Sequence, residues 1–219
     1  MMLRRIYRSQ PILSIRRFLG RLPKFRLEMY EEFQVIPFNH NKPLPPNSEY
    51  RLSRILEDLS DELVMRPSDG TLLGLLRDNK FIAHDNDLDF DVLYAEHSDK
   101  VILDYAEKNR WVIGRKVVKN GLIQQLTFYD YDQIIYDFIL WHDQVPFYVN
   151  YSEPGFIRIM PKQYMNELKI YTINELNMSI KVPLDSEGWL RYRYGPKWNV
   201  PDHEKVDWKT QCGDMISIA

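Results

Sequence analysis

The sequence predicts an α+β fold in which a mixed β-sheet is flanked by helices. Two helical segments precede a strand of alternating acidic and apolar residues, and a third helix follows that strand. A hairpin and another apolar strand come next, so helices and strands are interleaved along the chain. With 219 residues, of which 44% are hydrophobic, the chain is long enough for one domain with its own core.

A first helix is predicted by apolar residues that recur every three to four positions: Leu52, Ile55, Leu56, Leu59 and Leu63. Ser48 or Asn47 is its expected N-cap, because both side chains can accept a hydrogen bond from a free backbone N–H. A second, shorter helix is expected over residues 70–79, and a third begins at Ser98.

Two strands are predicted next to each other in the sequence, joined by Asn120-Gly121. This dipeptide between two β-rich runs is the strongest short-range signal for a hairpin. A further apolar strand is expected over residues 133–141, and a Tyr- and Trp-rich segment lies near the C-terminus. We therefore expect one domain over residues 47–219.

Residues 1–46 form a basic leader ahead of that domain, and the leader has no acid before Glu28. Its basic residues are interspersed with apolar ones, a composition that can form an interfacial helix on anionic lipid. One hypothesis is therefore peripheral contact of residues 1–26 with the inner face of the cell membrane. The alternatives are a solvated basic tail and a surface helix docked on the domain. No apolar run is long enough for a signal peptide or a membrane-spanning helix.

The bulk composition narrows the classes of protein only slightly. The formal net charge is −2, so the overall charge indicates no particular partner. Cys212 is the single cysteine, which excludes an intrachain disulfide and a cysteine-based zinc site. A chain without disulfides is typical of a reducing compartment, and we expect a cytoplasmic location.

The main chemical signal is a row of aspartates, Asp85, Asp87, Asp89 and Asp91, that alternate with mostly apolar residues. Period two predicts a strand with one acidic face. Same-face neighbours lie about 6–7 Å apart, and at an effective dielectric near 20 each pair of charges repels by about 2.5 kcal/mol. Mg²⁺ or Mn²⁺ would offset this repulsion, because both prefer oxygen ligands. The alternative is a solvated acidic face without a metal.

Asp137 is the second acidic signal, since it lies inside the otherwise apolar segment IIYDFILW. Burying an unpaired carboxylate there would be costly. The cost is explained if this strand lies beside the acidic strand and Asp137 completes the metal site, as a ligand or as a general base. The alternative is that Asp137 marks an exposed face or the end of the strand.

An EF-hand calcium loop is a competing interpretation of the acidic row. Asp85, Asp87, Asp89 and Glu96 imitate its ligand spacing, but the sixth position, which needs glycine for a sharp turn, is Phe90. The sequence therefore argues against an EF-hand.

The segment DGTLLGLLRDNKFIAHDNDLDFD, residues 69–91, resembles the LicD family, whose hallmark is GTLLG-x-x-R followed by an isoleucine and an acidic DDD-x-D run. The matching residues are Gly70, Thr71, Leu72, Leu73, Gly74, Arg77, Ile82, Asp85, Asp87 and Asp89. The strand around Asp137 is similar to the family's second acidic strand, and Tyr194-Gly195 with Trp198 and Pro201 is similar to its closing motif. The sequence departs from the family at Ala83, His84 and Asn86.

This resemblance implies a nucleotidyltransferase-like fold and a phosphotransferase. Asp85, Asp87, Asp89 and Asp137 are the expected metal ligands, and the last three are also the expected catalytic residues. The expected reaction moves a phospho-alcohol, such as phosphocholine, ribitol phosphate or glycerol phosphate, from a CDP-linked donor to a hydroxyl of a cell-surface glycan or glycolipid.

Three further residues are expected to bind the donor phosphates. Gly70 and Thr71 open a short helix whose free N–H groups suit anions. Arg77 either pairs with a phosphate or forms a structural ion pair with an acid of the strand.

Two other functions remain open from the sequence. The same fold transfers whole nucleotides, so the protein could be a nucleotidyltransferase that acts on a small molecule or RNA. No aromatic-basic RNA-binding motif is evident, and we expect no nucleic-acid partner. The chain could also be a glycan-binding module without catalysis.

Overall fold

A computed structural model describes residues 43–153, 155–201 and 212–217 of the chain. Residues 1–42 of the predicted leader lie outside the described residues, and so does the proposed membrane contact through residues 1–26. The division of the chain at residues 46 and 47 stays a prediction. In the part that is described, no helix has the length and apolar character needed to cross a lipid bilayer.

The described chain has five α-helices interleaved with ten strands, of which five consecutive strands in the middle follow one another without a helix between them. The helices are α1 (Ser48–Leu59), α2 (Asp69–Arg77), α3 (Ser98–Lys108), α4 (Gln163–Asn166) and α5 (Ser186–Tyr194). The strands are β1 (Met65–Pro67), β2 (Asp87–Leu93), β3 (Val112–Lys119), β4 (Leu122–Tyr129), β5 (Ile135–Gln144), β6 (Phe147–Asn150), β7 (Phe156–Pro161), β8 (Leu168–Ile173), β9 (Met178–Pro183) and β10 (Met215–Ser217). The predicted α+β class is confirmed.

An 8-stranded sheet organises the fold, with β5 at its centre. The first part of β5 pairs with β2 on one side and with β4 on the other, and its last residues pair with β6. β2 and β5 run parallel, and the other pairs described in this sheet are antiparallel. β8 and β9 form a separate antiparallel hairpin. The sheet is therefore mixed, and its one parallel pair joins the two acidic strands.

The Asn120-Gly121 hairpin is confirmed between β3 and β4, where both residues have the positive φ angles, 53° and 74°, that such turns require. β1 is a strand that the sequence did not predict. Residues 65–67 are too few to show a period, and their partners are residues 90–92 of β2, more than twenty positions away.

One face of the central strands is the hydrophobic core. Leu88 and Phe90 are fully buried, and the rings of Phe90 and Phe138 stack with their centroids 4.9 Å apart. Helices α1 and α3 contribute Ile55 and Ile102 to the same core. Because Leu88 and Phe90 lie in a buried strand, the acidic row is not a calcium-binding loop. The aspartates project from the opposite face.

Candidate metal centre

Three carboxylates converge where β2 and β5 lie side by side. The parallel register places Asp89 directly beside Asp137. Asp87 shares a face with Asp89, because side chains two positions apart on a strand point the same way. One carboxylate oxygen from each of Asp87, Asp89 and Asp137 lies within 4.8 Å of the other two. The structure thus brings together all three residues expected to be both ligands and catalytic, and their roles stay predictions.

Asp85, the fourth expected ligand, lies beside this group and is not part of it. It precedes β2, in a turn where its N–H donates to the carbonyl of Ile82 at 3.0 Å. One carboxylate oxygen, Oδ2, approaches α2 so closely that a Cβ on Gly70 would lie 2.7 Å from it. The strand begins at Asp87 and not at Asp85, so the Asp85 carboxyl lies against α2 while still hydrogen-bonding the side chain of Asp87.

These carboxylates line a polar cavity of about 360 Å³. Its other lining residues are Asp69, Gly70, Arg115, Gln125, Ile139, Ser152, Glu153, Arg158, Arg193, Tyr194 and Cys212. A larger depression of about 570 Å³ lies beside α1 and is lined by Glu49, Glu57 and Asp58. Among the described residues, that second set forms no cluster with metal-ligating geometry. The smaller cavity, which contains the three converging carboxylates, is therefore the candidate metal site.

The N-terminus of α2 is fixed to the backbone of Asp89. The N–H of Ser68 donates to the carbonyl of Asp89 at 2.9 Å, and the N–H of Asp89 donates to Oγ1 of Thr71 at 2.9 Å. The Thr71 hydroxyl also lies 3.5 Å from the carbonyl of Asp87. Thr71 is fully buried and its hydroxyl joins helix to strand, so its expected phosphate contact stays a prediction for the backbone N–H. Gly70 does line the cavity, near N–H groups that lack intrahelical partners.

Arg77 lies at the other end of α2, away from the cavity. Its guanidinium pairs with Asp78, with Nη2 and Oδ2 2.6 Å apart. Arg77 is not among the cavity-lining residues, and its partner is its sequence neighbour instead of an acid of the strand. A helix of nine residues is about 12 Å long, which explains why two residues of one motif are separated.

Two arginines hold the first residue of α2. Arg158 donates to both carboxylate oxygens of Asp69, at 2.9 and 3.1 Å, and Nε of Arg193 donates to Oδ1 at 3.0 Å. Both guanidinium groups also pair with Asp214, which is fully buried. The two cations hold the pKa of Asp69 well below its usual range. The four charges offset one another and fix Asp69, whose φ is +37°, at the cavity wall.

Asp91, the last acid of the row, is neutralised separately. Its Oδ2 lies 2.7 Å from Nη2 of Arg66, and both side chains are fully buried. Oδ1 accepts hydrogen bonds from Ser68 at 2.8 Å and from the indole of Trp141 at 2.7 Å. The acidic face is thus divided: Asp87 and Asp89 face the cavity, and Asp91 is a structural ion.

Burial and mutual repulsion make the cavity carboxylates hard to ionise. Burial, followed by the charge of Asp87, raises the pKa of Asp137 to about 6 and that of Asp85 to about 8. The pKa of Asp89 is raised well above its usual value for the same reasons. Two fully charged carboxylates at this spacing repel by at least about 3 kcal/mol at an effective dielectric near 20. A divalent cation bound between the carboxylates would offset this repulsion.

We expect the Asp137→Asn variant, relative to the unchanged protein in metal-free buffer, to gain stability as pH rises from 4 to 8. The folded pKa of Asp137 is about 6 and its ordinary value is 3.8, so the folded state holds the extra proton in this window. Stability then falls as pH rises, and a shift of about two pKa units corresponds to about 3 kcal/mol at most. Asn has no proton to lose.

Urea denaturation of both proteins at several pH values, with EDTA present, measures this difference. The pairwise comparison is needed because burial lowers the pKa of His142, whose contribution to stability has the opposite pH dependence and cancels between the two proteins. A stability difference that stays constant between pH 4 and 8 would contradict the buried, repelled state of Asp137.

Several site residues were not found from the sequence. Asp214 and Arg158 carry no local signal, since they pair with each other across 56 positions and Arg158 pairs with Asp69 across 89 positions. Near the C-terminus, Arg193 lines the cavity, while Arg191 pairs with Glu187 on the surface. Cys212 also lines the cavity, and burial raises the pKa of its thiol to about 11, so it is a poor nucleophile.

No family model matches the sequence, and no curated protein matches it. The resemblance to the LicD family is therefore wrong as a statement of membership. Its motifs describe a helix N-terminus beside an acidic strand, and such an arrangement does not specify one family. A search of solved structures gives a likeness to a lincomycin-bound lincosamide antibiotic adenylyltransferase, LnuA. The identity is 12% and the TM-score 0.46, over 68% of this chain and 86% of that chain.

The three converging side chains suit a hard divalent cation. All three donors are carboxylate oxygens, the ligand type that Mg²⁺ and Mn²⁺ prefer. Two oxygens bound to one octahedral Mg²⁺ lie about 3–4 Å apart, so oxygens within 4.8 Å need only small side-chain movements. The raised pKa values of Asp89 and Asp137 indicate a site that is strained without a cation.

Proposed function

We propose that this protein is a metal-dependent nucleotidyltransferase that moves a nucleoside monophosphate from a nucleoside triphosphate to a hydroxyl of a small polar molecule. The observation that carries the proposal is the convergence of Asp87, Asp89 and Asp137 within 4.8 Å, in a polar cavity beside the N-terminus of α2. This function replaces the transfer of a phospho-alcohol that the family resemblance implied.

Asp87, Asp89 and Asp137 would hold the cation. Bound there, Mg²⁺ or Mn²⁺ would neutralise charge on the phosphates and align an in-line attack. The anchored backbone of Asp89 keeps its carboxylate in register with Asp137 across the parallel pair. The chain thus supplies a rigid set of oxygen ligands on strands, where positions are more precise than on loops.

The N-terminus of α2 would receive the phosphates of the leaving group. The first N–H groups of a helix have no intrahelical partner, and the helix dipole favours an anion there. Gly70 allows close approach of the backbone. A second anion-binding element beside the metal ligands favours a triphosphate donor, whose leaving group carries two phosphates, over a diphosphate donor.

The acceptor hydroxyl would attack the α-phosphorus of the donor. The new bond joins the acceptor oxygen to that phosphorus, the bond to the bridging oxygen breaks, and pyrophosphate leaves. The proton of the hydroxyl would pass to Asp137 or to solvent. Arg115, Gln125 and Glu153, which line the same cavity, would contact a polar acceptor.

The decisive experiment incubates the full chain with each of the four ribonucleoside triphosphates, Mg²⁺ or Mn²⁺, and a panel of sugars, polyols and amino alcohols. Release of pyrophosphate that depends on an acceptor, with a nucleotidylated product seen by mass spectrometry, is the expected result. Parallel reactions with CDP-choline, CDP-ribitol and CDP-glycerol test for release of CMP.

The outcomes separate the competing functions. Release of CMP from a CDP-linked alcohol, without pyrophosphate release from any triphosphate, would contradict nucleotidyl transfer and favour a phospho-alcohol transferase with a glycan acceptor. Failure to bind Mg²⁺ or Mn²⁺ in calorimetry would favour a non-catalytic module. Asp143→Asn is the matched control, because this exposed aspartate lies on β5 outside the cavity and pairs with Lys162.

A further inference from the structure

A row of polar side chains continues the metal centre across the sheet. The strand registers pair Asp89 with Asp137, and Asp137 with Thr127 of β4. The three residues therefore lie side by side on one face of three adjacent strands. Thr127 is buried, with 6% of its surface exposed.

The Thr127 hydroxyl donates a hydrogen bond to Oδ1 of Asp137. Nε2 of Gln125, two positions along β4 on the same face, lies 3.4 Å from the Thr127 oxygen and donates to it. A hydroxyl has one proton, so donation to Asp137 leaves the Thr127 oxygen free to accept from the Gln125 amide. The two contacts are thus mutually consistent, and the Gln125 side chain also hydrogen-bonds the Asp137 carboxylate directly.

We propose that Thr127, oriented by Gln125, is a positioning residue that fixes the Asp137 carboxylate in the direction from which it would bind a cation shared with Asp87 and Asp89. This inference rests on the metal centre of the proposed function. It assigns a part to two residues of β4 that lie outside the group of three converging carboxylates.

Thr127 would raise the affinity for a cation because it restricts the rotation of the Asp137 carboxylate and fixes its direction. A carboxylate can rotate about its terminal torsion and offer either oxygen, or both, to a cation. A buried donor on Oδ1 removes that freedom before the cation arrives, and the ion then need not order the side chain. Partners of this kind around metal ligands change metal affinity by about 10–100-fold when removed.

The test measures Mn²⁺ binding to the full chain by calorimetry, without nucleotide. Thr127→Val keeps the β-branched shape and removes the hydroxyl, and we expect the Kd for Mn²⁺ to rise about 10–100-fold. Thr127→Ser restores a donor and should recover most of the affinity. Gln125→Leu removes the donor to Thr127, and a smaller rise in Kd is expected, which keeps the proposal testable if Thr127→Val does not fold.

Thr172→Val is the matched control, because it removes an exposed threonine hydroxyl that bonds Ser179 on the separate β8–β9 hairpin. It should leave the Kd for Mn²⁺ unchanged. Equal Mn²⁺ affinity in Thr127→Val and the unchanged protein overturns the positioning role and leaves the proposed function standing. Mn²⁺ binding that depends on Thr127, in a protein that transfers no nucleotide, keeps the inference and defeats the function. Absence of Mn²⁺ binding by the unchanged protein overturns both.

Discussion

Asp89→Asn should abolish Mg²⁺ and Mn²⁺ binding and lower the rate of nucleotide transfer by about 10³-fold or more. Asp89 lies between Asp87 on its own strand and Asp137 on the neighbouring one, so no cation could be shared by the three without it. A bound cation contributes several kcal/mol of charge stabilisation in the transition state, and each 1.4 kcal/mol is a tenfold change in rate. Calorimetry and pyrophosphate release measure the two losses.

The same variant should be more stable than the unchanged protein in metal-free buffer near pH 8. Burial and the neighbouring carboxylates raise the pKa of Asp89 well above its usual range, so the folded state either keeps it protonated or bears its charge at a cost. Asparagine carries no charge to bury, and its side chain has nearly the same shape as that of aspartate. A gain of about 1 kcal/mol would raise the melting temperature by about 2–4 °C in a domain of this size.

Loss of function combined with gain of stability distinguishes a metal ligand from a structural residue. Asp143→Asn, on the exposed part of β5, should change neither transfer nor metal affinity. Full activity in an Asp87→Asn, Asp89→Asn double variant would defeat the metal assignment. A fall in melting temperature for Asp89→Asn in EDTA would mean that Asp89 stabilises the fold through contacts that the structure does not contain.

The convergence of the three aspartates could be predicted from the sequence because most of its signal is local. A strand repeats every two residues, so the alternation of Asp87, Leu88 and Asp89 fixes one acidic face and one apolar face. Asp137 in an apolar run indicated a buried charge that needed a partner. Only the parallel pairing of the two strands had to be supplied by the structure.

The surroundings of the centre could not be predicted, because they depend on contacts between distant parts of the chain. Thr71 and Arg77 lie in one short motif. Thr71 is hydrogen-bonded to β2, whereas Arg77 lies at the far end of α2 and pairs with Asp78. Asp214 reaches Arg158 and Arg193 only because β10 pairs with β7. Thr127 is an ordinary strand residue in the sequence, and its place beside Asp137 follows from the β4–β5 register.

Asp91→Asn should destabilise the protein by about 3–5 kcal/mol, the largest loss of stability that we expect from a single substitution near the site. The change leaves Arg66, whose side chain is fully buried, with an uncompensated charge. Asn can still accept the hydrogen bonds of Ser68 and Trp141, so the loss isolates the ionic partner of Arg66. Urea denaturation measures the free energy of unfolding. Asp104→Asn, which breaks an exposed pair with Lys100, should have no measurable effect.

The double variant Arg66→Met, Asp91→Asn separates the charge from the packing. Met fills much of the volume of Arg66 without a charge, and replacing both members of a buried pair costs far less than removing one. We therefore expect the double variant to be more stable than Asp91→Asn alone, because the orphaned guanidinium is gone. A double variant as unstable as the sum of both single variants would mean that Arg66 and Asp91 act independently. Recovery would instead show that the role of Asp91 is to neutralise the buried charge of Arg66.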